Sequence, residues 1–345
     1  MGDMKKKRIG ILTAGGDCPG LNAAIRGVGK TAIMKYGMEV VGFSSGFTGL
    51  IHKEYEILEE NQLSGILTLG GTILGTSREK PYKRGGELDL DKPALIKQNY
   101  DDLNLDAIVC IGGNGTMKTA ALLAKEGINV IGIPKTIDND VWGTDVTFGF
   151  DSALWIATDA IDRLHTTANS HNRVMVIELM GHDAGWLTLY AGMAGGGDVI
   201  LIPEIDYNMK AVNKYLKSRA DKKKSYSIVV VAEGIKTPTG ISAATHIAQE
   251  IESGTGLETR KTILGYIQRG GSPSPMDRIL ATRFGAYAVD LIAHNDYGNM
   301  VIKKGEKIKD IPLSEVGGKI RLVPEKHPII QKARGLGVCM GNRKK

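Results

Sequence analysis

The sequence predicts an α/β protein of two doubly wound, Rossmann-like parallel-sheet domains. Three observations carry that expectation. Short apolar runs rich in Val and Ile alternate with stretches of helical periodicity, the pattern of βαβ units. Glycine clusters close several of those runs, and glycine at a strand end lets the backbone turn sharply or approach a ligand. The alternation also starts afresh after about residue 150, which in a chain of 345 residues fits two domains of ordinary size.

The elements follow in order. RIGILTA reads as a strand, GGDCPG as a turn and LNAAIRGVGKTAIMKYG as a helix, with a second strand in MEVVGFSSG. LDAIVCIGG, TMKTAALLAKEG and INVIGIPK repeat strand, helix, strand. In the second half RVMVIELMG, ILIPE and YSIVVVAEG read as strands, and ISAATHIAQEIESGTG and RILATRFGAYAVDLIAHN as helices. The last 35 or so residues are basic and weakly periodic. In such sheets ligands gather at the carboxyl ends of the strands.

Composition narrows the function classes. Hydrophobic residues make up 42% and charged residues 24%, as in a soluble globular protein. The net charge of +6 collects partly in Lys5–Arg8, Lys222–Lys224 and Arg343–Lys345, runs that read as solvated surface. Without a basic stripe interleaved with aromatics, nucleic acid is not an expected partner; a positive field does suit an anionic, phosphorylated substrate. Cys18, Cys110 and Cys339 lie far apart with no metal-ligand spacing, so a reducing, cytoplasmic setting is expected. No signal peptide and no apolar run of about 20 residues is read, so no membrane partner is expected.

Four constellations bear chemistry. Gly15 and Gly16 end a strand and open a helix, and so offer backbone N–H groups to an anion. Asp17 stands where the dinucleotide fingerprint needs its second glycine. Gly113, Asn114, Gly115 and Thr116 repeat the arrangement, but Met117 before Lys118 breaks the P-loop pattern. Gly70–Arg78 is a third glycine turn, ending in a cation. The segment PKTIDND places Lys135, Thr136, Asp138 and Asp140 at the mouth of a strand. Phosphoryl transfer to a hydroxyl needs cations on the phosphate and a base at the attacking oxygen. Asp138 suits the base, Lys135 and Thr136 the transferred group, and Asp140 the shaping of charge or metal-bound water.

Together these residues resemble the 6-phosphofructokinase family. The matching pieces include GILTAGGDCPGLNAAIRG, GGTILGTSR, IGGNGT, PKTIDND, GTDVTFGF, SHNRVMVIELMG, AGWL, AEG, ETRKTILGYIQRGG and SPMDRILATRFGAYAV, in family order from about residue 8 to 290. The resemblance implies transfer of the ATP γ-phosphoryl to the 1-hydroxyl of fructose 6-phosphate, with Mg²⁺, in a homo-oligomer that is usually a tetramer. It implies a donor domain of residues 1–149 plus about 270–325, and a sugar-phosphate domain of 150–269 plus about 326–345. Gly15 and Gly16 match the turn under the donor phosphates, Arg78 the bridge between donor and substrate phosphates, and Asp138 the base. Arg173, Met180, Gly181, Glu233, Arg260 and Arg269 match the sugar-phosphate pocket, with Arg173 and Arg260 supplied by a neighbouring subunit.

Several positions depart from well-known bacterial members. Asn114 replaces an aspartate that helps place magnesium, which leaves a weak, neutral metal ligand, with Asp140 acting through water. His182 replaces an arginine, Tyr266 a histidine and Thr119 a glycine beside the adenine. Gly115 is the residue of ATP users and Lys135 that of pyrophosphate users. Exclusion by an aspartate at 115 is the stronger filter, so ATP is expected, with a pyrophosphate-dependent enzyme as the alternative and a catalytically weak sensor as a third reading. At the family's effector site Arg26 is kept, while Lys30, His165 and Asp198 are replacements; weakened allosteric control is expected.

Overall fold

The computed structural model of the protein describes residues 6–83, 91–238 and 240–342. Among these the chain forms, in order, β1 (Arg8–Ala14), α1 (Leu21–Lys30), β2 (Glu39–Phe43), α2 (Phe47–His52), β3 (Tyr55–Ile57), α3 (Lys92–Asp102), β4 (Ala107–Gly112), α4 (Asn114–Lys125), β5 (Val130–Thr136) and β6 (Phe148–Gly149). It continues with α5 (Phe150–His171), β7 (Val174–Leu179), α6 (Trp186–Ala194), β8 (Val199–Leu201), α7 (Met209–Asp221), β9 (Ser227–Ala232), α8 (Ala243–Thr255) and β10 (Thr259–Ile263). Last come α9 (Pro275–Ala293), β11 (Asn299–Lys304), β12 (Lys307–Pro312), α10 (Leu313–Val316) and α11 (Pro328–Gly335).

The chain divides into two compact units. The first comprises Met1–Thr136, Val141–Asp151 and Arg269–Ile320; the second comprises Ile137–Asp140, Ser152–Gln268 and Arg321–Lys345. The first unit holds a sheet of order β12-β11-β5-β4-β1-β2-β3, with β6 beside β5. Its interior is parallel, and its edge strands β3 and β12 run antiparallel. β2 lies on one side of β1 and β4 on the other, which makes the β1/β4 gap the topological switch point. Register levels the strand ends there: Ala14 pairs with Gly112, and Gly112 with Pro134. The expected strand ending near Lys135 runs on through Thr136. Pro134 is accommodated where the β11 ladder has already stopped, at Gly132, and the β6 ladder begins only at Lys135. Helix α1 meets α9 through glycine. A side chain at Gly27 would strike the Thr282 carbonyl, and one at Gly285 the Ala24 carbonyl.

The second unit's four strands, β10-β7-β9-β8, are all parallel. Val174 and Val176 of β7 pack with Val212 and Leu216 of α7 and Ile247 and Ile251 of α8. Met175, Ile177 and Leu179 face the other way, toward Ala157 and Ile161 of α5 and Ala191 of α6. Both faces of the sheet are therefore covered, which is why its strands read as unbroken apolar runs.

Candidate active site

In the first unit the level ends of β1, β4 and β5 bring the three glycine turns together. Gly15 N donates to the Ser77 carbonyl at 2.8 Å, and Thr76 Oγ1 donates to the Gly15 carbonyl at 2.7 Å. Asn22 Nδ2 donates to the Leu69 and Gly70 carbonyls, while its Oδ1 accepts from Ile73 N at 2.8 Å. These bonds hold the 70–78 loop, whose Arg78 is exposed, against β1 and the start of α1. Thr116 Oγ1 reaches the Ala14 carbonyl at 3.4 Å, which ties the third turn to the first. Gly113 caps α4, so the N–H groups of Asn114, Gly115 and Thr116 open the helix as an anion cradle. A side chain at Gly115 would meet nothing within 4 Å.

Cations converge on the same turn. Lys135, only 4% exposed, donates from Nζ to the Gly16 carbonyl. The Arg269 guanidinium occupies the space a side chain at Gly16 would need. Arg269, expected in the sugar-phosphate pocket, is thus packed on the glycine turn within the first unit. Thr119 Oγ1 turns back to the Gly115 carbonyl of its own helix at 3.2 Å. Burial pushes the Cys18 thiol up to about 12, with Lys135 pulling the other way, so Cys18 is no nucleophile at neutral pH.

The second unit's residues fall at two ends of its sheet. At the carboxyl ends, Gly181 N and His182 N donate to Glu233 Oε1 at 3.2 and 2.9 Å, and Met180 N donates to Gln268 Oε1 at 3.3 Å. Glu233 thereby fixes the Met180–His182 turn that follows β7. The exposed His182 pairs through Nδ1 with Asp183 at 2.9 Å, and Tyr266, 74% exposed, follows β10. Arg173 and Arg260 sit at the amino ends, joined through one carboxylate: Glu258 Oε1 lies 2.8 Å from Arg173 Nη2 and 2.6 Å from Arg260 Nη2. The Arg173 hydrogen bond holds the Glu258 carboxyl below its usual range. The six residues of β7 separate Arg173 from Met180, seven steps or roughly 23 Å, so one copy of the chain keeps these two arginines apart from the Met180–Glu233 turn. The turn carrying Asp138 and Asp140 also belongs to this unit; both acids are half-buried, and Asn139 between them is buried with φ 54°.

No group of three or more His, Cys, Asp or Glu side chains among the described residues is placed to hold a metal ion. Asn114 and Asp140, the two residues expected near a metal, carry oxygen donors, the ligand type Mg²⁺ takes. Of the effector-site replacements, Lys30 pairs with Glu60 at 3.4 Å. His165 bonds Tyr226 Oη and the Gly195 carbonyl, and Asp198 pairs with Arg219 at 2.7 Å while accepting from Ile228 N.

The Phosphofructokinase family matches residues 8–292. The chain belongs to the phosphofructokinase family. Among the relatives of this chain, an ATP-dependent 6-phosphofructokinase 3 of Bacteroides thetaiotaomicron is 62% identical over 97% of this chain and 100% of the relative. An ATP-dependent 6-phosphofructokinase of Spirochaeta thermophila is 54% identical over 97% of this chain and 98% of its own. Among solved structures, Pichia pastoris phosphofructokinase in the T-state matches with a TM-score of 0.82 at 33% identity, covering 90% of this chain and 35% of the other. A pyrophosphate-dependent phosphofructokinase of Nitrosospira multiformis, at 20% identity and a TM-score of 0.85 over 98% and 93% of the two chains, shares the fold.

Sequence reasoning passed over two residues of this phosphofructokinase. Gln268, fully buried, lies inside the quoted motif ETRKTILGYIQRGG, but nothing in an isolated glutamine marks it as the partner of Met180 N. Arg321 lies beyond the matched residues, in a stretch without periodicity.

Proposed function

We propose that this chain transfers the γ-phosphoryl of ATP to the 1-hydroxyl of fructose 6-phosphate, giving fructose 1,6-bisphosphate in the cytoplasm. The observation that carries the donor assignment is the open face at Gly115 on the first turn of α4, where an added Cβ would meet no described atom within 4 Å. The relatives named as ATP-dependent enzymes favour the same donor. Lys135, the pyrophosphate-type residue, donates to the Gly16 carbonyl, at the turn that would receive the phosphates of either donor.

In this reading Gly15, Gly16 and the α4 N-terminus receive the donor phosphates, with Lys135 and Arg78 as counter-charges, while Arg269 belongs with the sugar-phosphate residues. Mg²⁺, when bound, neutralises phosphate charge, and Asn114 would offer it an uncharged oxygen. Thr136 and Asp140 flank the base. Asp138 takes the proton of the sugar hydroxyl as its oxygen attacks phosphorus. Met180, Gly181, His182, Glu233 and Tyr266 hold the sugar phosphate, and Arg173 and Arg260 serve the site of a neighbouring copy in a homotetramer. The placement of the two arginines at the far strand ends supports that sharing.

A steady-state assay of the purified protein with fructose 6-phosphate tests the reading. Turnover with ATP, dependent on Mg²⁺, is expected. Turnover with pyrophosphate but not ATP would overturn the donor assignment, and turnover with neither would leave a sensor.

A further inference from the structure

We propose that Arg321 is a positioning residue that fixes the orientation of the Asp138 carboxylate by clamping the turn that carries it. The proposal rests on the reading of Asp138 as the base. Arg321 belongs to the same unit as that turn and reaches it twice: its main-chain N–H donates to the Asp140 carbonyl at 2.8 Å, and its Nη1 donates to the Asn139 carbonyl at 2.9 Å. The two acceptors are consecutive carbonyls immediately after Asp138. Asn139 stands in the left-handed region at φ 54°, which asparagine tolerates better than most residues with a Cβ, and the bond to its carbonyl holds it there.

The clamp is itself held. The guanidinium carbon lies 3.9 Å from the centroid of the Trp186 ring, and Trp186 Nε1 donates back to the Arg321 carbonyl at 2.8 Å. The cation on the ring face and the donor at the ring edge leave the arginine little freedom. His327 stands edge-on to the same indole, with centroids 5.2 Å apart. Two residues on, Val323 N donates to Glu204 Oε1, and both Glu204 oxygens accept from Gly185 N, which caps the helix that Trp186 begins. A segment outside the family match at residues 8–292 thus steadies the turn that bears the proposed base.

Chemistry follows from where the bonds end. These two bonds fall on main-chain carbonyls, so through them Arg321 acts on the direction of the Asp138 side chain. A displacement of about 1 Å at a reacting group can cost on the order of 100-fold in rate. Losing the Nη1 bond is therefore expected to lower kcat and to spare KM for both substrates.

Arg321→Lys keeps the charge and the main-chain bond, and loses the guanidinium with both its donor to Asn139 and its plane on the Trp186 ring. Its kcat is expected to fall about tenfold, and that of Arg321→Ala by up to about 100-fold, with KM for ATP and fructose 6-phosphate within about threefold of wild type. Ethylguanidinium added to Arg321→Ala should restore part of kcat, and ethylammonium should not. On an Asp138→Asn background Arg321→Ala should change the residual kcat by less than about twofold, because both changes act on one group. Unchanged kcat in Arg321→Lys and Arg321→Ala would overturn the clamp, as would a loss confined to KM or to melting temperature and untouched by ethylguanidinium. If Asp138→Asn alone retains full activity, the base assignment falls instead, so the two failures are told apart.

Discussion

The two units treat their functional residues in opposite ways. In the first, register brings three glycine turns and two cations to one strand edge, stitched by bonds such as Thr76 Oγ1 to Gly15 and Lys135 Nζ to Gly16. In the second, the Met180–Glu233 turn and the Arg173–Glu258–Arg260 cluster occupy opposite ends of β7 and β10. Within one chain the glycine turns are therefore tied to one another, while the arginine cluster and the Met180–Glu233 turn stay at opposite strand ends. The contrast teaches that the same strand-and-glycine grammar can gather residues at one sheet edge or divide them between two, and such a division is what the proposed sharing between copies requires.

The largest test of this contrast is at the base. Asp138→Asn should lower kcat by about 100- to 10,000-fold while fructose 6-phosphate still binds, as read by steady-state kinetics and calorimetry; an unchanged kcat would remove Asp138 from that role. Next, Gly115→Asp should abolish ATP turnover by more than about 100-fold through charge and bulk placed at the phosphates, with its melting temperature nearly unchanged because the position opens onto free space. Retained ATP activity would break the donor half of the comparison. Arg173→Ala and Arg260→Ala should each raise KM for fructose 6-phosphate about 10- to 100-fold. The sharper version co-expresses the Arg173→Ala/Arg260→Ala chain with an Asp138→Asn chain. Assayed at fructose 6-phosphate far below the raised KM, mixed oligomers regain roughly a quarter of the wild-type activity if the arginines serve a neighbouring copy; if they serve their own copy, activity stays at the level of the arginine variant.

The smallest effect concerns pH. Burial, and next the charge of Arg321, lower the His327 pKa. Folding then favours the neutral imidazole, so its contribution to stability is present above the unfolded-chain value of about 6.5 and is lost as pH falls below it toward the folded value. The melting temperature should drop as pH is lowered from 7 through that window, and His327→Phe should flatten the drop.

How much was legible varied with how the chain signals its ends. β1, β4, β7 and β9 stood out because Val and Ile runs stop at glycine or at a turn. Helix α5 did not, although it spans 22 residues: it starts directly after β6, so no capping residue in a loop announces it. Helix α7 is so polar that only Val212 and Leu216 are buried, one apolar pair four residues apart. Of the site, the glycine turns and PKTIDND carried their own chemistry in the sequence. Arg269 did not reveal that it packs on Gly16, nor Arg321 that it holds Asn139, because such partners are chosen by the fold across 182 positions or more.

The parallel pairing of β11 with β5, Asn299 opposite Ile131, carries a consequence for biosynthesis. A ribosome releases β5 long before β11 exists, and the whole of the second unit's sheet emerges in between. Until then β5 presents an unsatisfied, strongly apolar border, the kind of surface that recruits foreign strands. Nascent chains stalled between these two points should be the ones that chaperones hold longest.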